Sequence, residues 1–225
     1  MNASAPTQRA TLLAIWDETP TLLGVRLAAP HIEAAHRAPG QFLTLAASTP
    51  VAIASAPGHG LELLLKRDGT AYELLAGHAP GATIDIDGPS GHGYPLASHA
   101  GRDLVLLGAG SGIAPLRAVL QAVLDERARW GAVHVYYGHR QPSEFAYRRE
   151  APLWQAAGVR LVEVLSGHDP GWTGARGRVH QVLEAAPPPL EHAVAYVCGM
   201  AEMVADATAT LTRLGLPAAD VFRNY

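Results

Sequence analysis

The chain has almost no cysteine, and this scarcity limits its chemistry. Its 225 residues include one cysteine, Cys198, which excludes an intramolecular disulfide, a cysteine-rich zinc site and a four-cysteine iron–sulfur cluster held by this chain alone. Any iron–sulfur partner would be carried by another polypeptide. The 11 histidines lie mostly beside glycine or proline, and none forms an H-x-x-x-H or H-E-x-x-H pair on a predicted helix. We therefore expect no metal site.

Charged residues are also few, and no cluster of one sign stands out. They make up 16% of the chain against 48% hydrophobic residues, and the net charge is −3. This balance argues against disorder, and the lack of a basic block argues against a nucleic-acid or anionic membrane partner. No apolar run approaches the ~18 residues of a membrane span, and the start lacks a secretory pattern. We expect a cytoplasmic protein whose partners are small molecules or proteins.

Two hydrophobic patterns divide the chain. Before residue 98, short apolar segments alternate with turn residues, which predicts the strands of a small antiparallel β-barrel. These predicted strands are 10–18, 21–29, 41–47, 51–55, 61–67 and 82–88. We place a boundary in the polar, turn-prone segment 96–102, which gives a barrel domain over 1–98 and a second domain over 103–225.

From Asp103 onwards, continuous apolar strands alternate with segments of helical period. This pattern predicts an α/β domain in which helices cover a parallel sheet. The predicted strands are 103–108, 133–138, 159–165 and 193–199, and the predicted helices are 113–130, 144–157 and 201–214. The fold class is therefore a β-barrel followed by an α/β domain.

A glycine-rich turn, GAGSGIAPLR at 108–117, directly follows a predicted strand and opens a helix. Free amides at a helix start attract a diphosphate, and glycines let the ligand approach the backbone. The candidate nucleotide-binding residues are Gly110, Ser111, Gly112 and Ile113. The motif is not G-x-G-x-x-G, since Ile113 stands at the third glycine position. A strand-to-helix turn without a ligand would have the same composition.

A second candidate segment, YVCGM at 196–200, places Cys198 at the carboxyl end of a predicted strand. Open α/β sheets bind their ligands at that edge. We therefore add Cys198, Gly199 and Met200 to the candidate site. A single cysteine on an apolar strand is also a common small core residue.

The second half of the chain resembles the ferredoxin–NADP reductase superfamily of flavin and nicotinamide oxidoreductases. GSGIAPLR at 110–117 is similar to the family's nicotinamide-diphosphate turn, and VCGMAEMV at 197–204 to its cysteine–glycine segment. VYYGHR at 135–140 is similar to its second strand, whose arginine on the adenosine side corresponds to Arg140.

The first half resembles the flavin barrel of the same superfamily, through PGQFLTL at 39–45 and PGATIDIDGPSGHGYP at 80–95. Within the superfamily, the plant fruit-protein-like branch and its bacterial relatives are the most similar. The segments that carry this finer resemblance are VAIASAP at 51–57, AYELLAGHAPGATI at 71–84, GWTGARGRV at 171–179 and the terminal FRNY.

The resemblance implies an enzyme that binds FAD and either NADPH or NADH. A hydride would pass from nicotinamide C4 to flavin N5, and electrons would continue to a redox partner protein or a small acceptor. It also implies that Cys198 borders the nicotinamide and that Tyr225 covers the flavin face, although a terminal aromatic residue is also compatible with a frayed or packed chain end. An alternative is a non-catalytic or electron-transfer subunit of a larger redox complex, and another is a reductase that releases reduced FMN or riboflavin.

The flavin segment departs from the family's R-x-Y-S signature, because the aligned residues 49–52 are TPVA. The arginine, tyrosine and serine side chains that would contact the flavin are all missing. Other groups can compensate, since Gly69 and Thr70 open a predicted helical stretch that could hold a phosphate. Lys66 and Arg67 could supply charge, although an ordinary turn with solvated cations fits equally well. The candidate flavin-binding residues are Val51, Ala52, Ile53, Ala54, Ser55, Lys66, Gly69, Thr70 and Ala71.

The pyridine nucleotide is predicted to be NADPH rather than NADH. The strand at 135–140 ends without an acidic residue for a ribose 2′-hydroxyl. Arg140, Arg148 and Arg149 follow it and could bind a 2′-phosphate. The same arginines also fit a solvated helical face.

Overall fold

A computed structural model describes residues 8–224 of the chain. The first half forms a six-stranded antiparallel sheet in the order β4-β3-β6-β1-β2-β5. Its strands are β1 (Gln8–Asp17), β2 (Leu22–Ala28), β3 (Phe42–Leu45), β4 (Thr49–Ala52), β5 (Leu61–Lys66) and β6 (Thr83–Ser90), and its helices are α1 (Pro30–Ala35) and α2 (Thr70–Leu75).

The antiparallel sheet curves around its own hydrophobic core. Alternate side chains such as Leu12, Val25 and Leu43 are fully buried and pack in one cluster, as the period of two in the sequence predicts. The residue after β4, Ile53, bridges Leu63 of β5. Because β4 and β5 are the outer strands of the sheet, this bridge brings its two edges together.

The second half forms a six-stranded parallel sheet in the order β10-β9-β8-β7-β11-β12. Its strands are β7 (Asp103–Ala109), β8 (Val133–His139), β9 (Val159–Leu165), β10 (Ala175–Arg176), β11 (Ala193–Cys198) and β12 (Val221–Arg223). Its helices are α3 (Ile113–Asp125), α4 (Ala151–Ala156), α5 (Val179–Ala185) and α6 (Ala201–Arg213). All six residues of β11 are buried, as expected for a strand covered on both faces.

The predicted fold class is confirmed: an antiparallel sheet is followed by a parallel sheet covered by helices. A 3-10 turn, Leu96–His99, lies between the two sheets, and we propose the divisions 1–98 and 103–225 as the domains. Within residues 8–224, no helix is long and apolar enough to cross a membrane.

The predicted helix over 144–157 is wrong in its first half, because α4 begins only at Ala151. Phe145 and Tyr147 are buried in the core instead, and Tyr147 has a φ of +60° that a helix does not allow. Its amide donates to the Glu18 carboxylate at 2.6 Å, which lies in the first half of the chain. The sequence patterns did not predict four short elements, namely α1, α5, β10 and β12.

Polar contacts join the halves at several places, and two of these places contain buried charged side chains. Glu144 is 5% exposed and accepts hydrogen bonds from the hydroxyls of Thr19, at 3.2 Å, and Thr21. Arg117 of α3 is 6% exposed and contacts Glu62 of β5 at 2.7 Å. The contact between Arg117 and Glu62 connects α3 directly to the antiparallel sheet.

We expect Glu144→Ala to lower the free energy of unfolding by about 1–3 kcal/mol, because it leaves two threonine hydroxyls at the junction without their acceptor. The control is Glu126→Ala, which removes an exposed carboxylate paired with Arg129 and should cost about 0.5 kcal/mol or less. Urea unfolding measures both. Equal losses for the two variants would contradict a stabilising role for the Glu144 contacts.

Candidate functional site

The candidate site lies where the strand order of the parallel sheet reverses. The chain leaves β7 towards β8, β9 and β10, and it returns through β11 on the other side of β7. Ligands of open α/β sheets bind at the carboxyl ends of strands at such a point. Cys198 at the end of β11 is in register with Gly108 of β7, so the two segments singled out in the sequence come together here.

The turn after β7 is open on its outer side. Gly110 has a φ of +56°, and a Cβ added there would meet no atom within 4 Å. The Tyr137 hydroxyl donates to the Gly110 carbonyl at 3.1 Å and accepts from the Ala146 amide at 3.3 Å, which holds the turn in place. The amides of Gly110 and Ser111 lie at the start of the turn, where no earlier carbonyl of the same turn can accept a hydrogen bond from them. They are the donors that an anion could use.

Two of the four predicted turn residues also pack against the rest of the protein. A Cβ on Gly112 would clash with the carbonyl oxygen of Cys198, so this glycine allows close packing of the turn on β11. The Ile113 amide donates to the carbonyls of Gly110 and Ser111, and its side chain is fully buried. Direct contact of Gly110, Ser111, Gly112 and Ile113 with a nucleotide stays a prediction.

Cys198 is a buried thiol. It is 7% exposed, and burial raises its pKa to about 12, although hydrogen bonds from the Asn224 side chain and the Gly199 backbone oppose this shift. The thiol is therefore protonated at neutral pH and is a poor nucleophile. Met200 beside it is 62% exposed. Tyr225, predicted to cover the flavin, lies outside the described residues.

The predicted flavin-facing strand is mostly turned inward. Val51 is 9% exposed, and Ile53 and Ala54 are fully buried in the core. Ser55 is hydrogen-bonded to the backbone at the end of this strand: its hydroxyl donates to the Gly60 carbonyl at 2.7 Å and accepts from the Glu62 amide at 3.0 Å. It is 0% exposed and organises the start of β5. Of the five strand candidates, Ala52 retains partial exposure.

The predicted phosphate-binding residues surround the start of α2. The Gly69 amide donates to the Lys66 carbonyl at 3.1 Å, which shapes the approach to the helix. The amides of Thr70 and Ala71 occupy the first helical positions, where no intrahelical acceptor exists. The exposed Thr70 hydroxyl adds a third donor at the same place.

The two cations near this helix differ in what they contact. Arg67 forms an ion pair with Asp17 and lies 5.7 Å from the Tyr72 ring centre. Lys66 is exposed and enters no ion pair among residues 8–224. Burial lowers the pKa of His139, Glu144 raises it, and Arg140 and Lys66 lower it. Lys66 is therefore close enough to the parallel sheet to influence His139.

The three arginines proposed for a 2′-phosphate are not equivalent. Arg148 forms an ion pair with Glu163 at 3.1 Å and lies 5.3 Å from the Phe145 ring centre. Its positive charge is therefore balanced by the Glu163 carboxylate. Arg140 and Arg149 are exposed and form no ion pair in the described part of the chain. Arg140 directly follows β8 at the carboxyl edge of the sheet.

Sequence patterns did not reveal Tyr137 or the partners of Arg117. Their contacts join residues that are distant in the sequence, and only the aromatic residues near the end of β8 were visible as a local pattern.

A cleft of about 710 Å³ lies between α4 and β9. Among the described residues, no group of three or more His, Cys, Asp or Glu side chains could hold a metal ion.

Comparison with known proteins agrees with this architecture. Residues 106–209 match the family model described as oxidoreductase NAD-binding domain. The chain is 30% identical over 195 residues to sulfhydrogenase 1 subunit gamma of Pyrococcus furiosus, covering 82% of this chain and 66% of that protein. It is 34% identical over 202 residues to the ferredoxin–NAD(+) reductase component of the alkene monooxygenase system of Xanthobacter autotrophicus, covering 83% and 61%. The chain thus spans 61–66% of the length of these relatives.

The fold comparison covers both halves. A ferredoxin NADP+ reductase from Neisseria gonorrhoeae, crystallised with bound FAD and NADP, superposes with a TM-score of 0.83 over 98% of each chain at 24% identity. This likeness extends across the antiparallel and parallel sheets, whereas the family model covers only the second. The second half of the chain therefore matches an oxidoreductase NAD-binding domain, and the two sheets together have the fold of that ferredoxin NADP+ reductase.

Proposed function

We propose that the protein is an FAD-dependent oxidoreductase that takes a hydride from NADPH or NADH and passes electrons to a separate acceptor. The observation that carries the proposal is the open turn at Gly110 and Ser111, placed beside Cys198 at the reversal of strand order. The names of the relatives support it, since one is a ferredoxin–NAD(+) reductase component and another a sulfhydrogenase subunit. The acceptor is proposed to be a redox protein.

The groups around α2 fit a flavin diphosphate. Thr70 and Ala71 offer amide donors, Thr70 adds a hydroxyl, and Lys66 is a cation without an ion-pair partner in residues 8–224. The small, partly exposed Ala52 leaves room for a ring against β4. These residues would hold FAD, which supplies two-electron exchange with nicotinamide and one-electron exchange with an acceptor.

The parallel sheet would supply the other half of the site. Gly110 and Ser111 would bind the nicotinamide diphosphate, and the uncharged Cys198 thiol would form an apolar wall beside the nicotinamide ring. Such a wall excludes water and keeps the reacting rings apart from other acceptors. Within the superfamily, we propose the plant fruit-protein-like branch and its bacterial relatives, on the segments at 51–57 and 171–179.

A second candidate is a non-catalytic or electron-transfer subunit of a larger redox complex. The observation in its favour is that β4 carries none of the arginine, tyrosine and serine side chains of the flavin signature. A weakened flavin site would follow, because a charge-assisted hydrogen bond contributes about 1.5–3 kcal/mol. The relative named as a sulfhydrogenase subunit is compatible with this alternative.

The first test is the cofactor itself. We expect the purified protein to have a flavin absorbance spectrum and to release FAD into the supernatant on heating, because the α2 donors and Lys66 replace the missing arginine. Chromatography of the supernatant identifies the flavin. Release of FMN or riboflavin favours a reductase that donates free reduced flavin. No flavin, and no uptake on titration with FAD, favours the non-catalytic subunit.

The second test concerns the glycine turn. Gly110→Asn keeps a residue type that tolerates positive φ and puts a side chain into the open face of the turn. We expect NAD(P)H to bind at least ~10-fold more weakly, about 1.4 kcal/mol, with unchanged FAD content. Isothermal titration with NADP+ and NAD+ measures this. Gly112→Val is unsuitable because it would clash with β11.

The matched control for this test is Gly101→Asn. Gly101 also has positive φ, at +87°, and open space around its missing Cβ, but it lies before β7, at the amino-terminal edge of the sheet. Its variant should bind nucleotide like the unaltered protein. Normal nucleotide affinity in a folded Gly110→Asn variant would mean that the turn is structural.

The third test addresses NADPH against NADH. We expect a higher kcat/KM for NADPH, and we expect Arg140→Ala to lower that value about 10-fold or more through loss of a charge-assisted contact. The value for NADH, which has no 2′-phosphate, should stay unchanged and is the internal control. A kcat/KM for NADH equal to or above that for NADPH in the unaltered protein would reverse the assignment.

A further inference from the structure

A chain of four alternating charges crosses the junction between the two sheets. Arg26 of β2 contacts Glu62 of β5 at 2.6 Å, and Glu62 contacts Arg117 of α3 at 2.7 Å. Arg117 in turn contacts Glu150, just before α4, at 2.6 Å. Two members come from the antiparallel half and two from the α/β half, so the network joins them.

The geometry of the Arg117 guanidinium is fully determined. Its Nε and Nη2 donate to the Glu150 carboxylate, and its Nη1 donates to Glu62 and to the Ala54 carbonyl at 2.9 Å. The Tyr147 ring centre lies 4.6 Å away. Burial lowers the pKa of Arg117, but Glu150 and Glu62 outweigh this and raise it, so the charge is permanent.

Stability alone does not account for such a network. Replacing a buried ion pair by well-packed apolar side chains is often neutral or stabilising, because removing charges from water costs more than their attraction returns. What the network provides is a single geometry. Four of the five N–H donors of this rigid planar group, matched to acceptors from both halves, allow one relative placement of α3 and β5.

The network also lies between the two proposed ligand sites. Arg117 follows Ile113 by four residues, about one helical turn from the nucleotide turn. Its acceptor Ala54 lies two residues after Ala52 of β4, and its acceptor Glu62 is the second residue of β5. A shift of the guanidinium would therefore move the nucleotide turn relative to the flavin-facing strand.

We propose that Arg117 is a positioning residue that sets the separation between the nucleotide turn and the flavin-facing strand. The proposal rests on the proposed function, because the separation matters only if a hydride crosses it. Reacting atoms must approach to about 3–3.5 Å, and a misplacement of 1 Å can cost about 100-fold in rate. The two ligands would be bound by different halves, so the junction controls that approach.

Glu62→Gln and Glu150→Gln form a matched pair for the test. Each replaces one carboxylate that contacts Arg117 by a neutral side chain of the same shape. Glu62 belongs to the antiparallel half, and a glutamine in its place would offer a single acceptor oxygen to both Arg26 and Arg117. Glu150 belongs to the same half as Arg117. Only the first substitution weakens the connection between halves.

We expect Glu62→Gln to lower the rate of flavin reduction at saturating NADPH about 10- to 100-fold, without changing FAD content or the Kd of NADP+. Glu150→Gln should leave that rate nearly unchanged, even if both variants lose thermal stability equally. Stopped-flow absorbance, isothermal titration and calorimetry separate these quantities. Equal rates for both variants, or a parallel fall in rate and nucleotide affinity, would overturn the proposal.

Arg117→Lys is the second variant, and it guards against misfolding because it keeps the buried charge. A lysine cannot hold Glu62, Glu150 and Ala54 in one plane, so the saturating rate should fall here too, with binding preserved. An unchanged rate in this variant would contradict the positioning role.

A distance measurement gives a readout independent of activity. Leu13 of β1 is 49% exposed, and Ala205 of α6 is exposed, so Leu13→Cys with Ala205→Cys allows spin labelling while Cys198 stays buried. We expect Glu62→Gln to broaden the measured distance distribution and Glu150→Gln to leave it narrow. A narrow distribution in both contradicts the positioning role. A protein that binds no flavin but shows the broadening would contradict only the proposed function.

Discussion

The buried guanidinium of Arg117 is the interaction on which the joined structure depends. A charge with 6% exposure persists only where carboxylates and carbonyls satisfy it. Those groups come from Glu62, Glu150 and Ala54, which lie in different halves of the chain. Apolar packing also joins the two sheets, because Leu22, Ala54 and Leu64 of the antiparallel half share a hydrophobic cluster with residues of the α/β half. Arg117 adds directional polar contacts to this apolar junction.

In the turn after β7, the two glycines Gly110 and Gly112 have different surroundings. Gly110 leaves an open outer face, while Gly112, two residues further on, lets the turn lie against β11. Both are glycines in one short motif, yet the first has open space beside it and the second is in close contact with the protein. The buried Cys198 takes part in this close contact: its carbonyl receives Gly112, and its thiol stays protonated.

The proposed flavin site would rely on backbone more than on charged side chains. β4 carries no cation, and Arg67 forms an ion pair with Asp17. In the proposed site, the amides of Thr70 and Ala71 and the side chain of Lys66 would bind the diphosphate. Hydrogen bonds from amides are directional but weaker than bidentate arginine contacts. Flavin retention is therefore the property on which the enzyme and subunit alternatives differ most sharply.

The fold class and the positions of the glycine turn and Cys198 could be predicted from the sequence, because they depend on local period and on residue types at adjacent positions. The period changes from two to helical near residue 103, and the structure changes from antiparallel to parallel there. Tertiary structure alone decided that Ser55 caps β5, that α4 begins late, and that Gly112 packs on β11. It also decided the partners of Arg117, since Glu62 lies 55 residues away. No local pattern encodes a contact between distant segments, so these roles appear only once the chain has folded.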